Sequence, residues 1–129
     1  MQVNSVSLSQ KSPTPAFGNI QYVAAEKVLR SRLSLDELKE FSKLVKENEH
    51  FKNANLILFG EKDNKIWARV ADSAVYTPYE LLKSIKRSDY TPRFFESTMH
   101  FIKRMIPKMQ ARNQEVAEII EKANFKIEG

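Results

Sequence analysis

The chain contains no cysteine, which rules out disulfides, thiolate metal centres and cysteine nucleophiles. Glycine is almost as scarce. Gly18, Gly60 and Gly129 are the only three, too few and too scattered for the glycine-rich phosphate loops of nucleotide-binding folds. Histidine occurs twice, as His50 and His100, and neither stands in a ligand pattern such as His-Glu-x-x-His. His50 ends a helical pattern, where a cation suits the helix dipole, and His100 lies on the polar side of the last helix. Glu61, Asp63 and Asn64 lack the length and the terminal glutamate of a calcium loop. No apolar run approaches the ~18 residues needed to span a bilayer. Residues 1–16 lack the apolar core of a secretory signal. The expectation by elimination is a cytoplasmic, non-enzymatic protein with no cofactor, no metal and no membrane contact.

What is present suffices for one folded unit. The 129 residues are 42% hydrophobic, enough to bury a core without covalent staples. Residues 1–16 are polar and contain Ser12-Pro13-Thr14-Pro15, where proline removes backbone donors and disfavours helix in the residue before it. They read as a disordered or extended leader, with a single globular domain over 17–125 and a flexible end over 126–129.

Helix starts are the clearest local signal. Ser34 and Glu37 have capping-box spacing, with Leu33 and Leu38 at the staple positions. The helix that follows, Leu35 to about Asn48, places Leu38, Phe41, Leu44 and Val45 on one face. Thr77 and Glu80 repeat the box, with Pro78 in the first turn, which predicts a shorter helix to about Arg87. Thr91 and Pro92 suggest a third start, stapled by Tyr90 and Phe95. Ile20–Arg32 also reads as helix. Between the helices, the apolar run Asn55–Phe59, the turn formers Gly60–Asn64 and the alternating run Lys65–Ala71 specify a β-hairpin, with Ile66, Ala68 and Val70 on one side. Two strands alone are marginal in water, so the hairpin must pack on helices or gain a third strand, for which Phe17–Val23 and Ala74–Tyr76 are the candidates. The fold class is α+β: a small, mostly helical domain in the order α-α-β-β-α-α, with one β-hairpin and a long, kinked C-terminal helix.

That last helix is expected from Pro92 to about Ala123, as one kinked helix in preference to two helices divided at Pro107. Phe95, Met99, Ile102, Ile106, Met109, Val116 and Ile120 fall on one stripe, and the stripe keeps phase across Pro107. At ~1.5 Å per residue the helix is roughly 48 Å long, against a radius of gyration of about 14 Å for a globule of this size. Such a helix must project, bend around the core, or find a partner. Methionine adapts well to binding surfaces. Met105, Met109, Val116 and Ile120 are therefore the candidate contacts for a protein partner or for self-association. Asn113 interrupts the stripe as a register-setting polar residue or as a point where the stripe reaches solvent.

Charge supplies the second lead. The net charge is +5, and residues 81–112 carry eight cations against Asp89 and Glu96, leaving the rest close to neutral. Lys83, Arg87, Arg93, Arg104, Lys108 and Arg112 are the candidate anion- or nucleic-acid-binding residues, with Tyr79, Tyr90 and Phe94 interleaved for stacking. The leading expectation is an interaction module that binds a protein through its C-terminal helix. The alternative is a nucleic-acid-binding protein that uses the basic segment 83–112. No spacing in the chain specifies a catalytic activity.

Overall fold

The computed structural model describes residues 19–73 and 86–128. Along the chain run strand β1 (Ile20–Gln21), a short 3-10 turn (Val23–Ala25), helices α1 (Glu26–Arg32) and α2 (Leu35–Glu47), strands β2 (Ala54–Gly60), β3 (Ile66–Asp72) and β4 (Arg87–Tyr90), and helix α3 (Thr98–Glu128). The architecture is a small α+β domain ending in a long helix. The described residues hold three α-helices and four strands, where the sequence predicted four helices and two certain strands.

The four strands form one mixed sheet in the order β1-β2-β3-β4. β1 lies parallel to β2, with Ile20 opposite Leu56. Parallel neighbours need a long crossover, here supplied by α1 and α2. Asn19, at the start of β1, is buried. Its side-chain amide N–H groups donate to the carbonyls of Phe51 and Ala54, while its backbone carbonyl accepts from Leu56 N–H at 2.7 Å. The antiparallel β2–β3 hairpin closes through Lys62, Asp63 and Asn64. Asn64 sits at φ 67°, the left-handed position that ends a three-residue hairpin loop and that asparagine tolerates. Its side chain donates to Ser31 Oγ at 3.0 Å, and its carbonyl accepts from Arg32 Nε at 3.0 Å, so the turn is tied to α1.

Strict alternation decides which face of the sheet is covered. Ala54, Leu56 and Leu58 of β2 and Ile66, Ala68 and Val70 of β3 are buried. They form one core with Val28, Leu29 and Leu33, with Phe41 of α2, and with Phe101, Ile102, Met105 and Met109 of α3. Ile57, Phe59, Trp67 and Arg69 face the other way and are half-buried. There Phe59 and Trp67 stack at 4.2 Å, and Arg69 lies over both rings while pairing with Asp89 of β4 at 2.7 Å. Helix α2 begins as its sequence specifies: Ser34 Oγ accepts from Glu37 N–H at 3.2 Å, and Glu37 accepts from Ser34 N–H at 3.0 Å.

Several elements depart from the sequence-based expectation. Ile20–Arg32 is helical only from Glu26, because its first residues enter the sheet. The helix expected over 78–87, with its Thr77–Glu80 box, falls mostly on 74–85, outside the described residues. Its last residue, Arg87, is instead the first of β4, opposite Ala71. The third strand comes from within Phe17–Val23; the Ala74–Tyr76 alternative lies outside the described residues. The last helix is continuous from Thr98 to Glu128 with Pro107 inside it, but it starts six residues later than expected.

Candidate functional site

That late start creates the most exposed apolar feature among the described residues. A helix beginning at Pro92 would carry Phe95 on the buried stripe with Met99. Instead residues 91–97 form a loop closed on itself. Glu96 N–H donates to the Arg93 carbonyl at 2.9 Å, and Glu96 Oε1 accepts from Arg93 N–H at 2.8 Å. Ser97 then caps α3 by accepting from His100 N–H at 3.1 Å. The turn drives Phe95 to φ 66°, a rare conformation for a bulky side chain. Phe94 and Phe95 end up 86% and 92% exposed, with ring centroids 4.1 Å apart.

Next to the two phenylalanines in the chain, Glu96 braces the loop. The Glu96 carboxylate is only 3% exposed. It accepts from Arg104 Nε at 2.7 Å and from a terminal guanidinium nitrogen of Arg104 at 2.8 Å, and it meets His100 Nδ1 at 2.6 Å. The Arg104 guanidinium, followed by the Arg93 amide and His100, holds this carboxyl well below the usual carboxylate range, against the opposing effect of burial. Arg104 also lies over the Phe101 ring and reaches the Thr91 carbonyl. One buried ion pair thus fixes the loop to α3.

A second feature lies between β4 and α3. A cleft of about 320 Å³ is lined by Val70, Lys86, Ser88 and Tyr90 on the strand side and by Lys108, Ala111, Arg112 and Glu115 on the helix side. It continues along α3 into a shallower space of about 270 Å³ that reaches Lys122. Arg112 bonds Asp72 through two nitrogens at 2.6 and 2.7 Å and Glu115 at 2.9 Å. Those bonds, Asp72 first, raise its already high pKa. The Lys108 ammonium lies 5.1 Å over the Tyr90 ring.

These contacts sort the residues singled out from sequence. Met105 and Met109 are fully buried and Val116 is 4% exposed, so in this fold their side chains face the protein's own interior. Ile120 is half-buried and Ile119 is 36% exposed. Of the cations, Lys83 lies outside the described residues. Arg104 and Arg112 are held by Glu96 and by Asp72 with Glu115. Lys108 and Arg112 meet in the cleft, while Arg87 and Arg93 are exposed elsewhere. Asn113 accepts from Asn53 N–H at 2.8 Å, satisfying the chain just before β2. Sequence reasoning offered Phe94 only as a stacking aromatic for nucleic acid and placed Phe95 on the buried stripe; it missed their exposure as a pair, and it missed Ser97. The signal for the cap was Ser97 itself, directly before the apolar positions Met99, Phe101 and Ile102.

Among the described residues, no group of three or more His, Asp or Glu side chains is placed to hold a metal ion, and no described helix is long and apolar enough to cross a membrane. Comparison with protein-family models, with curated proteins and with solved structures finds no match.

Proposed function

We propose that the chain is a non-enzymatic interaction module that docks on a partner protein through Phe94 and Phe95, at the entrance to its C-terminal helix. The observation that carries this reading is the near-complete exposure of two adjacent aromatic rings on a loop braced by Glu96. A phenylalanine left in water forgoes roughly 1.5–3 kcal/mol of burial. Here the chain adopts an unfavourable φ at Phe95 and keeps both rings outside the core. Rigid aromatic anchors of this kind dominate protein interfaces, because little conformational entropy is lost when they enter a pocket. The fitting partner offers an apolar pocket with an acidic rim for Arg93, whose side chain has no ion-pair partner among the described residues.

The test is affinity capture from extracts of the producing cells, with the wild type and a Phe94→Ser/Phe95→Ser variant compared by mass spectrometry. Both side chains are exposed, so the variant should keep the wild-type melting temperature. A protein retained by the wild type and lost by the variant supports the reading. Identical captures overturn it, as does binding of the wild type to lipid vesicles in place of protein.

A further inference from the structure

The cleft between β4 and α3 is separate from the aromatic loop, and its chemistry is different. We propose that it takes an extended acidic segment of a partner protein, added as a fifth strand on the outer edge of β4 with its carboxylates on Lys86, Lys108 and Lys122.

Topology is the first support. β4 is the last strand of the sheet, and among the described residues one side of its backbone has no strand partner. Ser88 and Tyr90 share the face of Val70 and Ala68, their register partners, and that is the face on which α3 packs. A strand laid along β4 would point every second side chain toward α3, at intervals of about 6.6 Å. Edge strand on one side and helix on the other is the geometry by which strand-addition grooves hold peptides: main-chain bonds give affinity, and alternate side chains give specificity. Ala111, exposed on the helix wall, leaves room for such a chain.

Charge decides what kind of chain. Arg112, Asp72 and Glu115 satisfy one another. Glu118 accepts from Gln114 at 3.1 Å. Lys86, Lys108 and Lys122 have no carboxylate partner among the described residues; set against Glu118 and the second carboxylate on Arg112, they leave the cleft and its extension with a small net positive charge carried on three free ammonium groups. The chain's own leader is a poor complement, because residues 1–16 contain Lys11 and no acid. A nucleic-acid strand fits less well than a peptide. Tyr90 is already covered by Lys108, leaving no open platform for a base, and a nucleic-acid backbone cannot pair with the edge of β4.

Fluorescence anisotropy with labelled ten-residue peptides of alternating Glu-Thr and alternating Lys-Thr, and with decauridylate, tests the assignment on the full chain. The Glu-Thr peptide should bind, weaken with salt, and lose at least tenfold affinity to a Lys86→Glu/Lys108→Glu variant. Lys122→Glu alone should reduce affinity less. A Glu-Thr peptide N-methylated on alternate residues should bind poorly, since it cannot pair with the strand edge. Phe94→Ser/Phe95→Ser should leave peptide binding unchanged, which separates this site from the aromatic loop. The proposal is overturned if the Lys-Thr peptide binds as well as Glu-Thr, if N-methylation has no effect, or if decauridylate binds in place of the peptide and is lost in the same lysine variant.

Discussion

Glu96 is the residue on which the exposed loop depends, since its carboxylate joins Arg93, His100 and Arg104. Its pKa is depressed in the folded state, so the stability it contributes is fully present above its unfolded value of about 4.3. That contribution is lost as pH falls through the lower folded value. The wild type should therefore lose stability from about pH 5 downward more steeply than a Glu96→Gln variant, in urea denaturation across that range. Parallel pH profiles would show that the carboxylate's charge does not hold the loop. Gly60 gives a steric counterpart. A Cβ there would lie 2.5 Å from Val28 Cγ2 and 3.4 Å from the Ala25 Cα, because α1 and the turn before it rest directly on the end of β2. Gly60→Ala should cost about 1–3 kcal/mol, the range for overpacking a filled core, measured as a lowered denaturation midpoint. An unchanged midpoint would mean that α1 moves aside without penalty.

At the scale of elements, legibility followed how local each cause is. The Ser34–Glu37 box and the hairpin were readable because their determinants lie within a few residues: a cap with its third-position glutamate, and alternation around a turn ending in Asn64. β4 was not readable. Arg87-Ser88-Asp89-Tyr90 has no apolar alternation, and it is a strand because β3 pairs with it and Arg69 grips Asp89. The start of α3 was misread for a related reason. Thr91-Pro92 is a sound local signal, but Glu96 is captured by Arg104, eight residues further on, and this stabilises a loop where the local signal favours helix. The candidate site vanished with that misreading, since a helix starting at Pro92 conceals Phe95 within the stripe. Continuity across Pro107 was legible because the apolar phase is preserved on both sides. Pro107 is exposed and lacks the N–H that would bond one turn back. Pro107→Ala should therefore stabilise the protein, by at most about 3 kcal/mol, seen as a higher melting temperature with an unchanged helical circular dichroism signature. A lower melting temperature would mean that the proline sets a curvature the core requires.

At the scale of the whole molecule, α3 is about 46 Å long by its 31 residues, whereas the seven-residue strands β2 and β3 extend about 23 Å. The half nearer its N-terminus sends Phe101, Ile102, Met105 and Met109 into the core, and in the remainder, from Asn113 with its bond to Asn53, Val116 is still buried. The described apolar surface left on that remainder is chiefly Ile119 and part of Ile120, small against the ~800 Å² per partner of a standard interface. We expect a monomer at micromolar concentration in sedimentation equilibrium. A dimer that dissociates on Ile120→Glu would instead show that this end of α3 joins two copies. The position of α3 in the chain also bears on biosynthesis. The sheet face formed by Leu56, Leu58, Ala68 and Val70 has no complete cover until Phe101 to Met109 have been made. At about 5–20 residues per second, translation takes roughly 2–7 s to go from the end of β3 to Met109. For that interval the nascent chain carries a hydrophobic sheet face that α1 and α2 cover only in part, so final folding must await the last third of the chain, and the growing polypeptide is a natural client for chaperones that shield apolar strands at the ribosome.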